Sequence, residues 1–223
     1  MVVDVGRRTF VYAVLLAALA GYVDAMGYIT LGGFFVSFMS GNSTRMAVGA
    51  VDGHWHVAAV GAAVIGLFVL GVVLGSVLGR IAHARRRSIV MCLVAGLLVA
   101  AVTASAIGPR QVVVAALALA MGAENTVFER TGESSISLTY MTGTLVKLGQ
   151  RIAAALTGGP RWEWVRFAGL WLGLVLGVAA GAAVHRGVGL AGLWAAVALA
   201  LLLAVMFARD RLSAARDIPS IGP

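Results

Sequence analysis

Two carboxylates stand inside apolar runs: Asp24 falls within Phe10 to Leu31, and Glu124 lies near the end of a run from Val112 to Val127. A charge in such a run costs about 3 kcal/mol or more unless it is paired, hydrated or protonated, so its default reading is functional. Two cations keep matching company. Arg45 and Lys147 each come four residues after a glycine, Gly41 and Gly143. The chemistry open to this set is charge balance. A proton or cation could ride on a carboxylate, an anion could be neutralised by Arg45 or Lys147, or the charges could close internal pairs. Arg45 and Lys147 could equally snorkel to headgroups. Ser40, Asn42, Asn125, Thr142 and Thr144 add neutral donors and acceptors suited to orienting a polar solute or to joining helices. With Gly41 and Gly143 they complete the candidate substrate-binding set. No H-E-x-x-H, G-x-S-x-G or P-loop spacing occurs, His54 and His56 have no third ligand nearby, and Cys92 is the lone cysteine. Neither an enzyme, a metal nor a cofactor is therefore expected.

The elements that must position these residues are announced by a repeat. Ser37-Phe38-Met39-Ser40-Gly41-Asn42 reappears as Thr139-Tyr140-Met141-Thr142-Gly143-Thr144, offset by 102 residues (143 − 41), and the same offset carries Gly71, Gly75 and Gly79 onto Gly173, Gly177 and Gly181. A repeat fixes the architecture, so it is read first. The sequence predicts a first repeat over 1–108 with a motif segment at 32–53, a second over 109–209 with a motif segment at 132–158, and a polar tail over 210–223. Gly41 and Gly143 are the natural points at which a half-helix ends or begins. The glycine ladders follow the G-x-x-x-G spacing that lets helix backbones approach closely, between the repeats or in a homodimer.

Composition fixes the class as an all-α integral membrane protein. Apolar residues make up 61% of the 223, charged residues 12%, and mean hydropathy is +0.97, with unbroken Leu/Val/Ala/Gly runs in place of strand-like alternation. A net charge of +8 could suggest nucleic acid, but in a membrane protein basic residues orient the chain, so no nucleic-acid partner is expected. If neither motif segment crosses, there are six spans, and the basic residues outside the motifs divide 12 inside to 2 outside; if both cross, there are eight spans as a parallel 4+4 repeat and the division is 8 to 6. The positive-inside rule favours six, with both termini cytoplasmic. Three spans per half make the repeat inverted, with two interrupted or re-entrant motif segments.

Gly21-Tyr22-Val23-Asp24-Ala25, Leu31-Gly32-Gly33-x-Phe35-Val36, Met39-Ser40-Gly41-Asn42, Met121-Gly122 and Tyr140-Met141-Thr142-Gly143-Thr144 resemble the YoaK-type family of bacterial inner-membrane proteins, a domain-of-unknown-function family. The resemblance covers most of the chain and implies a multi-pass protein of the bacterial inner membrane. It brings no substrate, and the family pattern carries Gln at the position of Glu124. Inverted 3+3 repeats with interrupted segments are the pattern of secondary transporters, whose sites lie near the midplane. A small secondary transporter of a small polar or ionic solute is thus the leading expectation. The alternatives are a non-transporting membrane protein that binds a partner, lipid or pigment, and a dimeric ion channel.

Overall fold

The computed structural model describes residues 7–128 and 141–216. The helices are α1 (Arg7–Thr30), α2 (Met39–Val51), α3 (Trp55–Ala82), α4 (Arg86–Ile107), α5 (Arg110–Glu124), α6 (Met141–Leu156), α7 (Trp164–Val188) and α8 (Leu193–Arg216). No strand occurs among the described residues. Three apolar stretches, Arg7–Thr30, Trp55–Ile107 and Trp164–Leu212, are long enough to cross a membrane. The second and third each fold as two helices. One turns at His83, whose φ of 46° is left-handed, and the other at a short 3-10 turn over Gly189–Gly192. Val69, Val73 and Val77 on α3 and Leu172 and Leu176 on α7 are exposed, an apolar girdle suited to lipid.

The glycine ladders lie between the two halves of the chain. A Cβ on Gly177 would overlap the Ala18 carbonyl, and one on Gly181 the Tyr22 carbonyl; on Gly71 it would overlap the Leu119 carbonyl, and on Gly75 it would press on Ala123. Contact positions rise together along each pair, so α1 runs parallel to α7 and α3 parallel to α5. Gly21 and Gly122 return the contact from the other side, the first against Leu174 and Val178, the second against Phe68 and Val72. These matches correct the sequence register. In space Gly71 corresponds to Gly177 and Gly75 to Gly181, an offset of 106 (177 − 71), while Gly21 corresponds to Gly122, an offset of 101 (122 − 21). The ladders therefore match one helical turn away from the 102-residue repeat. Gly79 makes room for the Arg86 side chain, whose atoms a Cβ there would meet first. The ladder glycines are buried inside the chain.

The ends of the bundle are fixed by polar contacts. The Tyr12 hydroxyl donates to Asp210 at 2.6 Å, the Tyr22 hydroxyl to the Gly192 carbonyl at 2.8 Å, and the Ser88 hydroxyl to the Ala204 carbonyl at 2.8 Å. The N-terminal ends of α1 and α4 thus share one end with the C-terminal part of α8, which lies antiparallel to both. The C-terminus of α5 reaches the same end, where the Arg86 Nε donates to the Thr126 carbonyl at 3.1 Å. We call this the arginine end.

Residues 31–38 double back. Gly32 and Gly33 take φ of 63° and 100°, left-handed values that residues with a Cβ rarely adopt, and turn the chain down along α1 until Val36 presses on Gly27. Helix α2 then climbs back beside α3, with Gly49 against Val57 and Gly61 against Met46. The break therefore lies at 31–38. Gly41 and Gly143, expected to end or begin a half-helix, sit in the first turns of α2 and α6. In the second half, α6 packs on α7 as α2 packs on α3. Thr139, Tyr140 and the first part of the 132–158 motif segment lie outside the described residues. Helix α8 continues through Arg216, beyond the expected start of the polar tail at 210.

Candidate functional site

Asp24 lies six residues before the end of α1, about 9 Å along its axis at about 1.5 Å per residue. It is buried, and its Oδ1 accepts the backbone N–H of Val36 at 2.7 Å and of Ser37 at 2.8 Å. The reason is local: doubled-back residues 31–38 have neither helix nor sheet to satisfy their N–H groups, and a buried N–H must find some partner. The carboxylate supplies it. Asn42 does the same one layer over. Its Oδ1 accepts the Phe35 N–H at 3.0 Å and its Nδ2 donates to the Phe35 carbonyl at 2.6 Å. The fully buried amide closes the loop onto the first turn of α2. Gly41 lets the rings of Phe38 and Phe35 close over that turn, where a Cβ would meet Phe38 at 2.7 Å.

Arg45 reaches back over the same loop. Its guanidinium lies 4.5 Å from the centre of the Phe34 ring, and its Nη2 is 3.5 Å from the Gly32 carbonyl. The Nε is buried without a hydrogen-bond partner among the described residues. Ser40, on the exposed face of α2, takes part through its carbonyl, which accepts the Thr44 hydroxyl at 3.2 Å.

Glu124 differs from all of these. It is fully buried at the last residue of α5, next to the Ala123 that meets Gly75 of α3, and neither carboxyl oxygen has a hydrogen-bond partner among the described residues. Beside it Asn125 donates to the Met121 carbonyl at 2.9 Å. The 101-residue offset that superposes Gly21 on Gly122 places Asn125, not Glu124, at the counterpart of Asp24 (125 − 24). Thr142 and Lys147 are exposed on α6, and Gly143 and Thr144 half-buried.

The structure thus gathers Asp24, Asn42 and Arg45 around one broken segment and leaves Glu124 at the α3–α5 seam. It does not close the ion pairs that the sequence allowed. Among the described residues Asp24 makes none with Arg45, nor Glu124 with Lys147, because Asp24 is engaged by backbone and Lys147 points outward. The backbone N–H groups of Val36 and Ser37 and the ring of Phe34 belong to the site and were missed as site members; the Gly32-Gly33 pair was the available signal, since adjacent glycines before an aromatic run mark a turn. Among the described residues no three His, Cys, Asp or Glu side chains come together to hold a metal.

Comparison with known proteins bears on the family of the chain. A UPF0700 transmembrane protein of Rhizobium meliloti (strain 1021) is 36% identical over 200 residues, covering 88% of this chain and 86% of that protein. No solved structure matches. The transmembrane relative and the apolar helices make this an all-α membrane protein. Residues 12–206 match a protein of unknown function, DUF1275, and the YoaK-type resemblance falls within it. The chain belongs to the DUF1275 family.

Proposed function

We propose that the chain is a small secondary transporter of a small polar or ionic solute in the bacterial inner membrane, six spans arranged as an inverted 3+3 repeat with both termini cytoplasmic. Helix directions support the arrangement. The N-termini of α1 and α4 share the arginine end, so α1, α2 and α3 together must leave that end and return to it. Helix α1 leaves, α3 returns, and α2, at 13 residues and about 20 Å, is short of a bilayer core of about 30 Å. The loop at 31–38 and α2 then form one re-entrant excursion. Antiparallel α4 and α8 agree with three spans in each half; eight alternating spans would make them parallel. The arginine end is the cytoplasmic one by the positive-inside rule.

The observation that carries transport is Glu124. Among the described residues this buried carboxylate has no hydrogen-bond partner, a state that costs several kcal/mol unless the group meets a proton or a cation, and exchange of that partner is what couples a transporter to a gradient. Arg45, whose Nε is buried with no hydrogen-bond partner among the described residues, is the cation beside the first broken segment. Asp24 and Asn42 position that segment; Ser40, Gly41, Thr142, Gly143, Thr144 and Lys147 line the matching helix starts. Non-helical backbone at membrane depth persists where protein or a water-filled path meets its hydrogen bonds, and such breaks mark transporter sites.

A thermal-shift screen of the detergent-purified protein against inorganic ions, amino acids, sugars and carboxylates, at several pH values, tests the reading. A ligand at about 100 times its dissociation constant stabilises by about 2.7 kcal/mol. A hit that disappears in Arg45→Gln and Glu124→Gln, while both variants stay folded, supports a solute site. A hit unchanged in both would place binding elsewhere.

A further inference from the structure

The arginine end holds a cavity that the candidate site does not use. Its volume is about 730 Å³, within the roughly 300–1,000 Å³ range of small-ligand sites, and its lining brings together Arg85, Arg86, Arg87 and Arg211 with the rings of Phe128 and Phe207. Basic residues at this end serve orientation, but orientation requires only charge and no fixed geometry. Here two of the four are fixed. Arg87 lies 5.0 Å from the centre of the Phe128 ring and 5.9 Å from that of Phe207, and Arg86 threads past Gly79 to the Thr126 carbonyl. Arg85 and Arg211 are exposed at the rim. Among the described residues the acid in the lining is Asp210, which is engaged by the Tyr12 hydroxyl, and His83 faces the Ile81 carbonyl through its Nδ1 at 2.8 Å.

A cluster of guanidinium groups matches phosphate better than it matches any neutral ligand, because the planar fork pairs with phosphate oxygens two at a time. The apolar wall of Val127, Phe128, Phe207 and Leu212 adds surface for a hydrocarbon portion. Basic pockets between transmembrane helices on the cytoplasmic side are where anionic headgroups dock. We propose that this cavity binds a phosphate-bearing anion, with a phospholipid headgroup and free phosphate as the two sources of that chemistry. The site is separate from Asp24 and Glu124, and it stands whether or not the chain transports a solute.

The test uses the full chain in neutral detergent, titrated with phosphatidylglycerol, phosphatidylcholine or inorganic phosphate and followed by native mass spectrometry and thermal shift. Arg85→Gln/Arg211→Gln removes two exposed lining charges; Arg80→Gln/Arg209→Gln removes two exposed charges outside the lining and serves as the matched control. Phosphatidylglycerol is expected to bind the wild type, to lose about tenfold or more in affinity in the first double variant, and to change by about twofold or less in the control. If inorganic phosphate at matched ionic strength stabilises with the same dependence on Arg85 and Arg211, the source is free phosphate; if only phosphatidylglycerol does, it is lipid. Equal losses in the two double variants, equal binding of phosphatidylcholine, or no binding of either phosphate source to the wild type would overturn the proposal.

Discussion

Asp24 holds Val36 through a 2.7 Å hydrogen bond from the Val36 backbone N–H to Oδ1, and the same oxygen takes the N–H of Ser37. One carboxylate on a helix thereby replaces the missing ladder of a segment that has no secondary structure. The charge at position 24 is structural before it is anything else. Removing the acceptor should leave two buried donors unsatisfied, at about 1–3 kcal/mol each, whereas Asp24→Asn keeps an oxygen in place and loses only the charge assistance. Thermal unfolding in detergent should rank wild type above Asp24→Asn, and Asp24→Asn clearly above Asp24→Ala. Equal melting of the two variants would mean that the two hydrogen bonds contribute nothing.

Asn42 makes the second tether, donating to and accepting from Phe35. Asn42→Ala deletes both bonds and is expected to cost about 2 kcal/mol, at about 1 kcal/mol for each. Asn42→Asp keeps the acceptor but sets an anionic oxygen against the Phe35 carbonyl, so it should melt no higher than Asn42→Ala. Melting temperature reads this directly, and an Asp variant as stable as wild type would count against the tether.

Glycine substitutions should separate seams from lipid-facing helix. Gly177→Ala would collide with the Ala18 carbonyl, and Gly71→Ala with that of Leu119, so each must push two helix backbones apart. A loss of several kcal/mol is expected, in the range of core overpacking at about 1–3 kcal/mol or above. Gly66 in α3 and Gly96 in α4 have nothing within 4 Å of a Cβ, and Ala there should be neutral or raise stability by up to about 1 kcal/mol. The contrast appears in one set of melting curves. A uniform response at all four positions would contradict the packing.

The spans were legible because apolar runs and their stops are one-dimensional: the run from Val57 to Gly79 lies within α3, and the Gly108-Pro109 stop falls between α4 and α5. The phrase around Gly41 located the broken segment to within a few residues. Partners were not legible. A carboxylate that accepts backbone N–H groups leaves no trace in side-chain types, so Asp24 invited an ion pair with Arg45 that the fold does not make. The ladder register failed for a related reason. A G-x-x-x-G series shifted by one turn looks the same in sequence, and only the Ala18 and Leu119 contacts fix which glycines correspond. Glu124 showed the opposite balance: the sequence marked it as a charge in an apolar run, and its lack of a hydrogen-bond partner among the described residues emerged only from packing.

Sidedness of the α2–α3 and α3–α4 turns distinguishes six spans from eight. In a Cys92→Ala background, cysteines at Gly53 and Arg85 should label from opposite faces of the membrane, Gly53 from outside and Arg85 from the cytoplasm. An eight-span chain gives the reverse at both positions. Gly108 should label with Gly53.

Glu124 tests the transport reading most directly. The purified chain would be reconstituted in liposomes, charge and pH changes recorded as small ions and polar solutes are added, and wild type compared with Glu124→Gln, which keeps the size of the side chain. The expected result is a solute-dependent response in wild type that falls by at least about an order of magnitude in the variant, as for loss of a group that must exchange its proton or cation. A folded wild type that answers no solute, or a response identical in Glu124→Gln, would contradict it.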